Sequence, residues 1–189
     1  MSNVVLTMSI SLDGYFEGPK REIDWHLVDE ELHAHMNEWL GASGVFVDGR
    51  ITYELMESVW PAAAEDPASH PIMAEFGRIW IGKPKILYSR TRSEAGWNTT
   101  VLHEVVQEDI AALKARTEGD VIIGGADLAA TFLRHDLVDE LRLYVHPVVL
   151  GEGRPLFQPG SGPRQVRLTE TRTFGNGVVL LRYGRMSGD

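Results

Sequence analysis

Short apolar runs of strand length alternate with helical patterns along most of the chain. Val45–Val47 and Val121–Ile123, for example, are each followed by a segment whose apolar residues recur at helical spacing. This alternation is typical of a mostly parallel sheet with helices on both faces, because parallel strands need crossover connections. Near the C-terminus, Val166–Phe174 and Val178–Arg185 flank Gly175-Asn176-Gly177, and Asn-Gly is a strong hairpin signal. We therefore expect a three-layer α/β/α domain whose mixed, mostly parallel sheet carries an antiparallel C-terminal hairpin.

The remaining elements follow from the spacing of apolar residues, which recur every second residue in strands and every third or fourth in helices. Strands are predicted at Val4–Ile10, Val45–Val47, Lys85–Ser89, Val101–Leu102, Val121–Ile123 and Leu141–Leu150. Helices are predicted at Asp29–Leu40, Arg50–Val59, Ile72–Ile81, Val106 to near Gly119, and Ala126–His135. Long loops are predicted at Pro61–Pro71 and Gly151–Arg164, both inside one domain that spans residues 1–189.

Pro147 interrupts the last of these strands. A proline inside a strand is typical of a bulge or of an edge position, because it cannot donate a hydrogen bond to a neighbouring strand. The strand is otherwise long and apolar, so it is also a candidate for a dimer contact.

The amino-acid composition excludes several classes of function. The 189 residues contain no cysteine, which rules out a disulfide scaffold, thiolate-ligated zinc, an iron–sulfur cluster and a cysteine nucleophile. The formal net charge of −9 argues against a general nucleic-acid-binding protein, which carries a basic face. No apolar run reaches the roughly 18 residues of a membrane span, and the N-terminus lacks the basic segment of a secretory signal. We therefore expect a cytoplasmic protein that binds neither nucleic acid nor membrane.

Two glycine-containing segments follow predicted strands and open predicted helices. The first begins at Gly49, directly before Arg50 and Thr52, and the second is Gly124-Gly125-Ala126. In open α/β sheets ligands bind at the carboxyl ends of the strands, where helix N-termini attract phosphate and glycine lets the backbone approach the ligand. Two such segments suit the two ends of one pyrophosphate, although a glycine here is also a common turn residue. Neither segment has the G-x-G-x-x-G pattern, so a Rossmann domain is not expected.

A third segment, Ser89-Arg90-Thr91, directly follows the predicted strand Lys85–Ser89. A guanidinium flanked by two hydroxyl groups is a good receptor for a phosphate monoester, such as the 2′-phosphate of NADP. The alternative interpretation is a solvated basic turn.

These three segments, in this order, resemble the dihydrofolate reductase-like superfamily. The segments Val138–Leu143 and Pro147–Phe157 are more specific, since they resemble the C-terminal reductase domain of the bifunctional riboflavin-biosynthesis deaminase/reductase. Stand-alone bacterial relatives of that domain are the most similar, and Ser11–Phe16 also matches them. We expect no deaminase half in this chain, because the sequence has no cysteine for its zinc.

The resemblance implies a dihydrofolate reductase-like fold, NADPH as cofactor and pairing as a homodimer. No metal site is expected, because the sequence has neither cysteine nor an H-E-x-x-H motif. It implies hydride transfer to a small heterocyclic or ribosylamino-pyrimidine substrate, as in 5-amino-6-(5-phosphoribosylamino)uracil reductase. A true dihydrofolate reductase and a non-catalytic NADPH-binding protein are the alternatives. The cofactor-binding residues that it implies are Gly49, Arg50, Thr52, Ser89, Arg90, Thr91, Gly124, Gly125, Ala126 and Leu128.

The substrate side of the predicted site is less defined. The segment from Trp25 to Glu30 is similar to the one that carries the pterin-binding acid in true dihydrofolate reductases. Asp13, Tyr15, Trp25 and Asp29 are therefore candidate substrate contacts, and Asp13 and Glu30 are candidate catalytic acids. Two structural alternatives stand beside these roles: Asp29 and Glu30 suit the first turn of a helix, and Asp13 suits a turn.

Overall fold

The computed structural model describes residues 2–158 and 162–186. The strands are β1 (Val4–Ser11), β2 (Tyr15–Glu17), β3 (Val45–Gly49), β4 (Lys85–Tyr88), β5 (Thr99–Leu102), β6 (Val121–Gly124), β7 (Glu140–His146), β8 (Arg154–Pro155), β9 (Val166–Thr173) and β10 (Val179–Arg185). The helices are α1 (Glu30–Ala42), α2 (Arg50–Glu65), α3 (Pro71–Gly82), α4 (Gln107–Arg116) and α5 (Ala126–Arg134). No helix in this described part of the chain is long and apolar enough to cross a bilayer.

Eight of the described strands form one sheet in the order β5-β4-β3-β6-β1-β7-β10-β9. The six strands from β5 to β7 are parallel, whereas β10 and β9 run antiparallel at one end. The remaining two strands, β2 and β8, pair in a small antiparallel ribbon. The mixed, mostly parallel sheet with a C-terminal antiparallel hairpin is thus confirmed.

Alternating side chains of the central strands enter two cores on opposite faces of the sheet. Val4 and Leu6 of β1 belong to a cluster that includes Phe132 of α5. Val5, between them, belongs to a second cluster that includes Trp80 of α3. Helices α4 and α5 therefore cover one face and α1 to α3 cover the other, which confirms the three-layer α/β/α arrangement.

Helix α2 is longer than predicted, because it continues through Pro61 to Glu65. The predicted loop Pro61–Pro71 is therefore wrong over its first half. Proline removes one helical hydrogen bond, but α3 packs closely enough to hold the last turn in place. A Cβ on Gly77 of α3 would lie 2.5 Å from the Trp60 carbonyl oxygen and 2.9 Å from Cβ of Ala64. Tertiary packing thus overrides the local preference of Pro61.

Strand β7 is shorter than predicted, because it ends at His146 and Pro147 follows it. The strand lies between β1 and β10, where a residue without an N–H group cannot continue the ladder. The interpretation of Pro147 as a bulge or edge residue inside the strand is therefore wrong. The predicted loop Gly151–Arg164 also needs correction, since Arg154 and Pro155 form β8.

Candidate active site

The three predicted cofactor segments follow neighbouring parallel strands. β6, β3 and β4 are adjacent in the sheet, and Asp48 is in register with Gly124 while Gly49 is in register with Tyr88. Ser89 comes directly after Tyr88, so all three segments lie at the carboxyl edge of the sheet. This edge is where ligands bind in open α/β sheets.

Gly125 and Thr52 form the tightest point of this edge. Gly125 has φ +92°, which favours glycine, and a Cβ there would lie 2.5 Å from Thr52 Oγ1 and 3.9 Å from the Gly49 nitrogen. A Cβ on Gly124 would collide with a carboxylate oxygen of Asp48. Gly124 and Gly125 therefore lie so close to the Asp48 and Thr52 side chains that neither position has room for a Cβ. We call this part of the edge, formed by Gly49, Thr52, Gly124 and Gly125, the cradle.

Two helices begin at the cradle without a side-chain cap. Gly49 is the N-cap of α2 and Gly125 is the N-cap of α5, and neither supplies a side-chain hydrogen bond to the first turn. Amide groups at such helix starts are suited to anions. Ala126 and Leu128 are buried in the α5 core cluster, so their part in this cradle is limited largely to the backbone.

Asp127 lies in the first turn of α5, where its negative charge would repel a phosphate placed beside the helix start. Its carboxylate accepts a hydrogen bond of 2.8 Å from Arg154, which also donates one of 2.7 Å to Glu17. Arg154 therefore offsets the negative charge of Asp127 and connects β8 to both β2 and α5.

Arg50 extends along α2, where it donates a 2.8 Å hydrogen bond to Glu54 one turn later. About two fifths of each side chain is exposed, so this is a solvated surface pair. A cofactor contact by Arg50 stays a prediction.

The turn after β4 is organised by the Ser89 side chain. Ser89 is buried, and its hydroxyl accepts hydrogen bonds from the backbone N–H groups of Arg92 at 2.9 Å and Thr91 at 3.3 Å. Arg92 is bound at 2.8 and 3.1 Å to the carboxylate of Glu57. Arg90 and Thr91 are exposed, and the Arg90 guanidinium has no hydrogen-bond partner among the described residues. Arg90 is thus the cation in this turn that is available to bind a phosphate.

Asp48 is a residue of the site that sequence reasoning missed. It is 6% exposed at the end of β3, and burial raises the pKa of its carboxyl to about 7 although Lys85 attracts the charged form. The Lys85 ammonium does not compensate it directly, because it donates to the carbonyl oxygens of Trp80 and, at 2.7 Å, Lys83. The signal in the sequence is a carboxylate that directly continues the apolar run Val45–Val47.

The structure gives Asp29 and Asp13 the structural roles named as alternatives. Asp29 caps α1 by accepting a 2.9 Å hydrogen bond from the Leu32 amide, and Glu30 is exposed in the first turn. Asp13 accepts hydrogen bonds from the Ser11 hydroxyl at 2.6 Å and the Gly151 amide at 2.8 Å. These bonds, led by that of Ser11, lower the Asp13 pKa to about 2. A carboxyl that remains ionised at neutral pH is a poor proton donor.

Tyr15 and Trp25 lie on the side of β1 and β7. The Tyr15 amide donates a 3.0 Å hydrogen bond to the Ser11 hydroxyl. The Trp25 ring meets the rings of His26 and His146 edge-on, with centroid distances of 4.3 and 5.6 Å. His146, which sequence analysis treated only as part of a strand, ends β7 in register with Ser11 of β1. Its signal in the sequence is a polar residue at the end of an apolar strand.

Substrate contacts by Asp13, Tyr15, Trp25 and Asp29, and catalysis by Asp13 or Glu30, are not tested by this geometry and stay predictions. The cofactor residues are brought to one edge of the sheet, but a bound cofactor is likewise a prediction.

Three solved structures have the same overall fold. A putative riboflavin biosynthesis protein from Shewanella sp. PV-4 matches with a TM-score of 0.73 at 21% identity, covering 98% of this chain and 99% of that one. The Thermotoga maritima diaminohydroxyphosphoribosylaminopyrimidine deaminase/5-amino-6-(5-phosphoribosylamino)uracil reductase matches at 0.66 and 13% identity, covering 98% and 57%. Enterococcus faecalis dihydrofolate reductase, complexed with NADP(H), matches at 0.65 and 16% identity, covering 98% and 97%. The predicted dihydrofolate reductase-like fold is therefore confirmed.

Sequence comparison gives the family. The uncharacterized protein YyaP of Bacillus subtilis (strain 168) is 33% identical over 181 residues, which cover 95% of this chain and 93% of YyaP. The family model of the RibD C-terminal domain matches residues 2–180. The chain therefore belongs to the RibD C-terminal domain family.

Proposed function

We propose that this protein is an NADPH-dependent reductase that transfers hydride to a small heterocyclic substrate of the ribosylamino-pyrimidine class. The observation that carries the proposal is the cradle at the carboxyl edge of β3 and β6, where α2 and α5 begin at Gly49 and Gly125 without a side-chain cap. Family membership supports it, as do the uracil reductase activity named for the Thermotoga protein and the NADP(H) bound to the Enterococcus enzyme.

In this proposal the backbone of the two uncapped helix starts holds the cofactor pyrophosphate. Gly49 and Thr52 contribute from α2, and Gly124, Gly125 and the first turn of α5 contribute from the neighbouring strand end. Their N–H groups and the positive ends of the helices favour an anion. NADPH, when bound, supplies the hydride, and the protein supplies position and electrostatics.

The turn at Ser89 carries the proposed preference for NADPH over NADH. Arg90 is exposed and unpaired among the described residues, so binding a 2′-phosphate breaks no existing ion pair of this side chain. The buried Ser89 hydroxyl holds the backbone of the turn in place. Arg90 and Thr91 would then donate to the phosphate oxygens.

Thermal unfolding with each cofactor tests the proposal. NADPH at about 100 times its Kd is expected to stabilise the protein by roughly 2.7 kcal/mol, and NADH at the same concentration is expected to stabilise it by less. Arg90→Ala should remove most of that difference, since one charge-assisted hydrogen-bonded contact contributes about 1.5–3 kcal/mol. Arg78→Ala, which changes an exposed arginine on α3, is the matched control and should leave the difference unchanged. Equal stabilisation by both cofactors before and after Arg90→Ala would refute the assignment of this turn.

Turnover separates the pyrimidine reductase from its two alternatives. Asp29, the candidate counterpart of the pterin-binding acid, already accepts the capping hydrogen bond of α1, which favours a ribosylamino-pyrimidine over dihydrofolate. We expect loss of absorbance at the reduced-nicotinamide band with 5-amino-6-(5-phosphoribosylamino)uracil as substrate. Oxidation with dihydrofolate alone would identify a dihydrofolate reductase instead. NADPH binding without oxidation by either substrate would identify a non-catalytic binding protein.

A further inference from the structure

Two histidine rings stack against each other at the carboxyl edge of the sheet, outside the cofactor cradle. The rings of His26 and His146 have centroids 5.0 Å apart and an interplanar angle of 20°. His146 ends β7 and is 0% exposed, whereas His26 belongs to the segment that precedes α1. Trp25 covers both rings edge-on. The pair therefore lies on the substrate side of the proposed site, beside the end of β1.

A backbone hydrogen bond fixes which nitrogen of His146 carries the proton. The Leu27 amide donates to Nδ1 of His146 at 3.0 Å, so Nδ1 must be the acceptor and the neutral ring carries its proton on Nε2. Burial lowers the pKa values of both His26 and His146 to about 4, which keeps the two rings neutral at physiological pH. His146 thus presents a neutral N–H donor that points away from Leu27.

This donor has no partner in the described part of the protein. Nε2 of His146 is buried without a hydrogen bond, and so is Nε2 of His26. A buried donor left unpaired costs about 1–3 kcal/mol, and such groups are therefore rare unless a water or ligand satisfies them. A metal ion does not fit this position, because the tautomer held by Leu27 leaves no lone pair on Nε2.

We propose that His146 is a specificity-determining residue whose Nε2–H donates a hydrogen bond to an uncharged acceptor of the substrate ring, a carbonyl oxygen or a ring nitrogen. This assignment rests on the proposed function, since it places a heterocycle beside β7. The acceptor is uncharged because His26, Trp25 and His146 offer no positive charge to compensate a buried anion. A ring that presents an amino group to this N–H leaves both donors unpaired and is rejected.

The ligand reaches this donor when the Trp25 indole, which meets the His146 ring edge-on, moves aside while the Leu27 amide stays bonded to Nδ1. Residues 18–29 contain no helix or strand, and Leu27 and Val28 are about half exposed. Among the residues that the structure describes, the Trp25 side chain makes one hydrogen bond, from its indole N–H to the Glu22 carbonyl oxygen at 3.1 Å. The cover over the histidine pair is thus less firmly packed than the strands beneath it.

The test compares two pyrimidines that differ in the groups presented to His146. 5,6-Diaminouracil carries ring carbonyls, and 2,4,5,6-tetraaminopyrimidine carries amino groups in their place. Binding of each probe to the full-length protein saturated with NADPH is measured by calorimetry. We expect the uracil to bind at least tenfold more tightly, and His146→Phe to weaken uracil binding about tenfold or more while NADPH affinity is unchanged.

Two further variants control for the loss of a buried ring. His146→Gln retains an acceptor for Leu27 and a donor for the ligand, so it should restore part of the preference for the uracil. His35→Phe changes another histidine with a buried, unpartnered Nε2, but one whose ring contacts Tyr144 and Phe174 under the C-terminal hairpin. It should leave uracil binding unchanged.

Nitrogen NMR of the unmodified protein gives a readout that does not require a folded variant. The shifts of His146 should report protonated Nε2 and bare Nδ1, and the Nε2 signal should move when 5,6-diaminouracil is added. Uracil affinity that His146→Phe leaves intact, a static Nε2 signal, or equal or absent binding of the two pyrimidines would each overturn the assignment. Absence of NADPH binding would instead overturn the proposed function, and the two failures are therefore distinguishable.

Discussion

At the scale of single residues, Asp48 has the environment with the clearest consequence for stability. Its carboxyl is buried at the end of β3, beside the backbone of Gly124. Because the charged form loses its hydration there, the pKa rises from 3.8 to about 7. The folded protein therefore keeps a proton, between about pH 4 and pH 7, that the unfolded chain has already released. Stability contributed by this group is full at low pH and is lost as the pH rises through that window.

The substitution Asp48→Asn should make the protein more stable than the unmodified chain above pH 7. The amide keeps the shape of the protonated carboxyl but has no charge to bury, so the gain is up to about 4 kcal/mol. Below about pH 4 the two proteins should be equally stable. Urea unfolding at pH 4, 6 and 8 measures the difference, and a gain that does not change with pH would contradict the titration of Asp48.

The roles of Asp48 and His146 could not be predicted from the sequence. Glycines and a basic turn at strand ends have recognisable local patterns, and these predicted Gly49, Gly125 and Arg90. The importance of Asp48 and His146 comes from neighbours that only the folded sheet supplies, namely Gly124 beside Asp48 and the Leu27 amide beside His146. A polar residue in an apolar strand was the available signal, and it carries no information about its partner.

At the scale of elements, close packing between α2 and α3 explains the main error in the predicted boundaries. The local sequence around Pro61 favours a loop, yet the helix continues because Gly77 lets α3 approach the backbone at Trp60. Strands and helices with clear periodicity, such as β6 and α5, were predicted to within a residue or two. Helix and strand boundaries that depend on contacts with distant parts of the chain could not be predicted from the local spacing of apolar residues.

Substituting Gly77 tests whether this contact stabilises the second half of α2. Gly77→Ala places a Cβ 2.5 Å from the Trp60 carbonyl oxygen, so the helices must separate. We expect a loss of about 1–3 kcal/mol. Gly41→Ala in α1 is the matched control, because its Cβ would meet Ile79 at 3.5 Å, an ordinary contact. Alanine there should stabilise the helix by up to about 1 kcal/mol. Denaturant unfolding that finds the same sign for both variants would exclude packing at Gly77 as the cause.

At the scale of the whole molecule, the order of the strands determines which segments meet at the candidate site and which strands form the outer edges of the sheet. The order β4-β3-β6-β1-β7 brings the cradle, the Ser89 turn and the histidine pair to one edge. Alternation along the sequence predicts parallel strands but does not specify their order, so it did not reveal that β7 lies inside the sheet. The dimer contact inferred for this strand cannot use its edges, because β1 and β10 occupy both of them, and it stays a prediction.

The surface best suited to a second copy of the chain is the outer strand β9. All eight of its residues are exposed, and Leu168 is 51% exposed. Exposed edge strands with apolar side chains are prone to association. We therefore expect light scattering to give twice the monomer mass of 21.1 kDa.

A single charge in this surface should separate the two copies. Leu168→Glu should yield a monomer, because the apolar contact is lost and two like charges meet across a twofold interface. Leu55→Glu, at a residue of α2 that is 47% exposed, should remain dimeric. NADPH affinity should not change in either variant, because three strands (β1, β7 and β10) separate β9 from β6, the nearest strand of the cradle. A monomeric unmodified protein, or a dimer that survives Leu168→Glu, would exclude β9 as the interface.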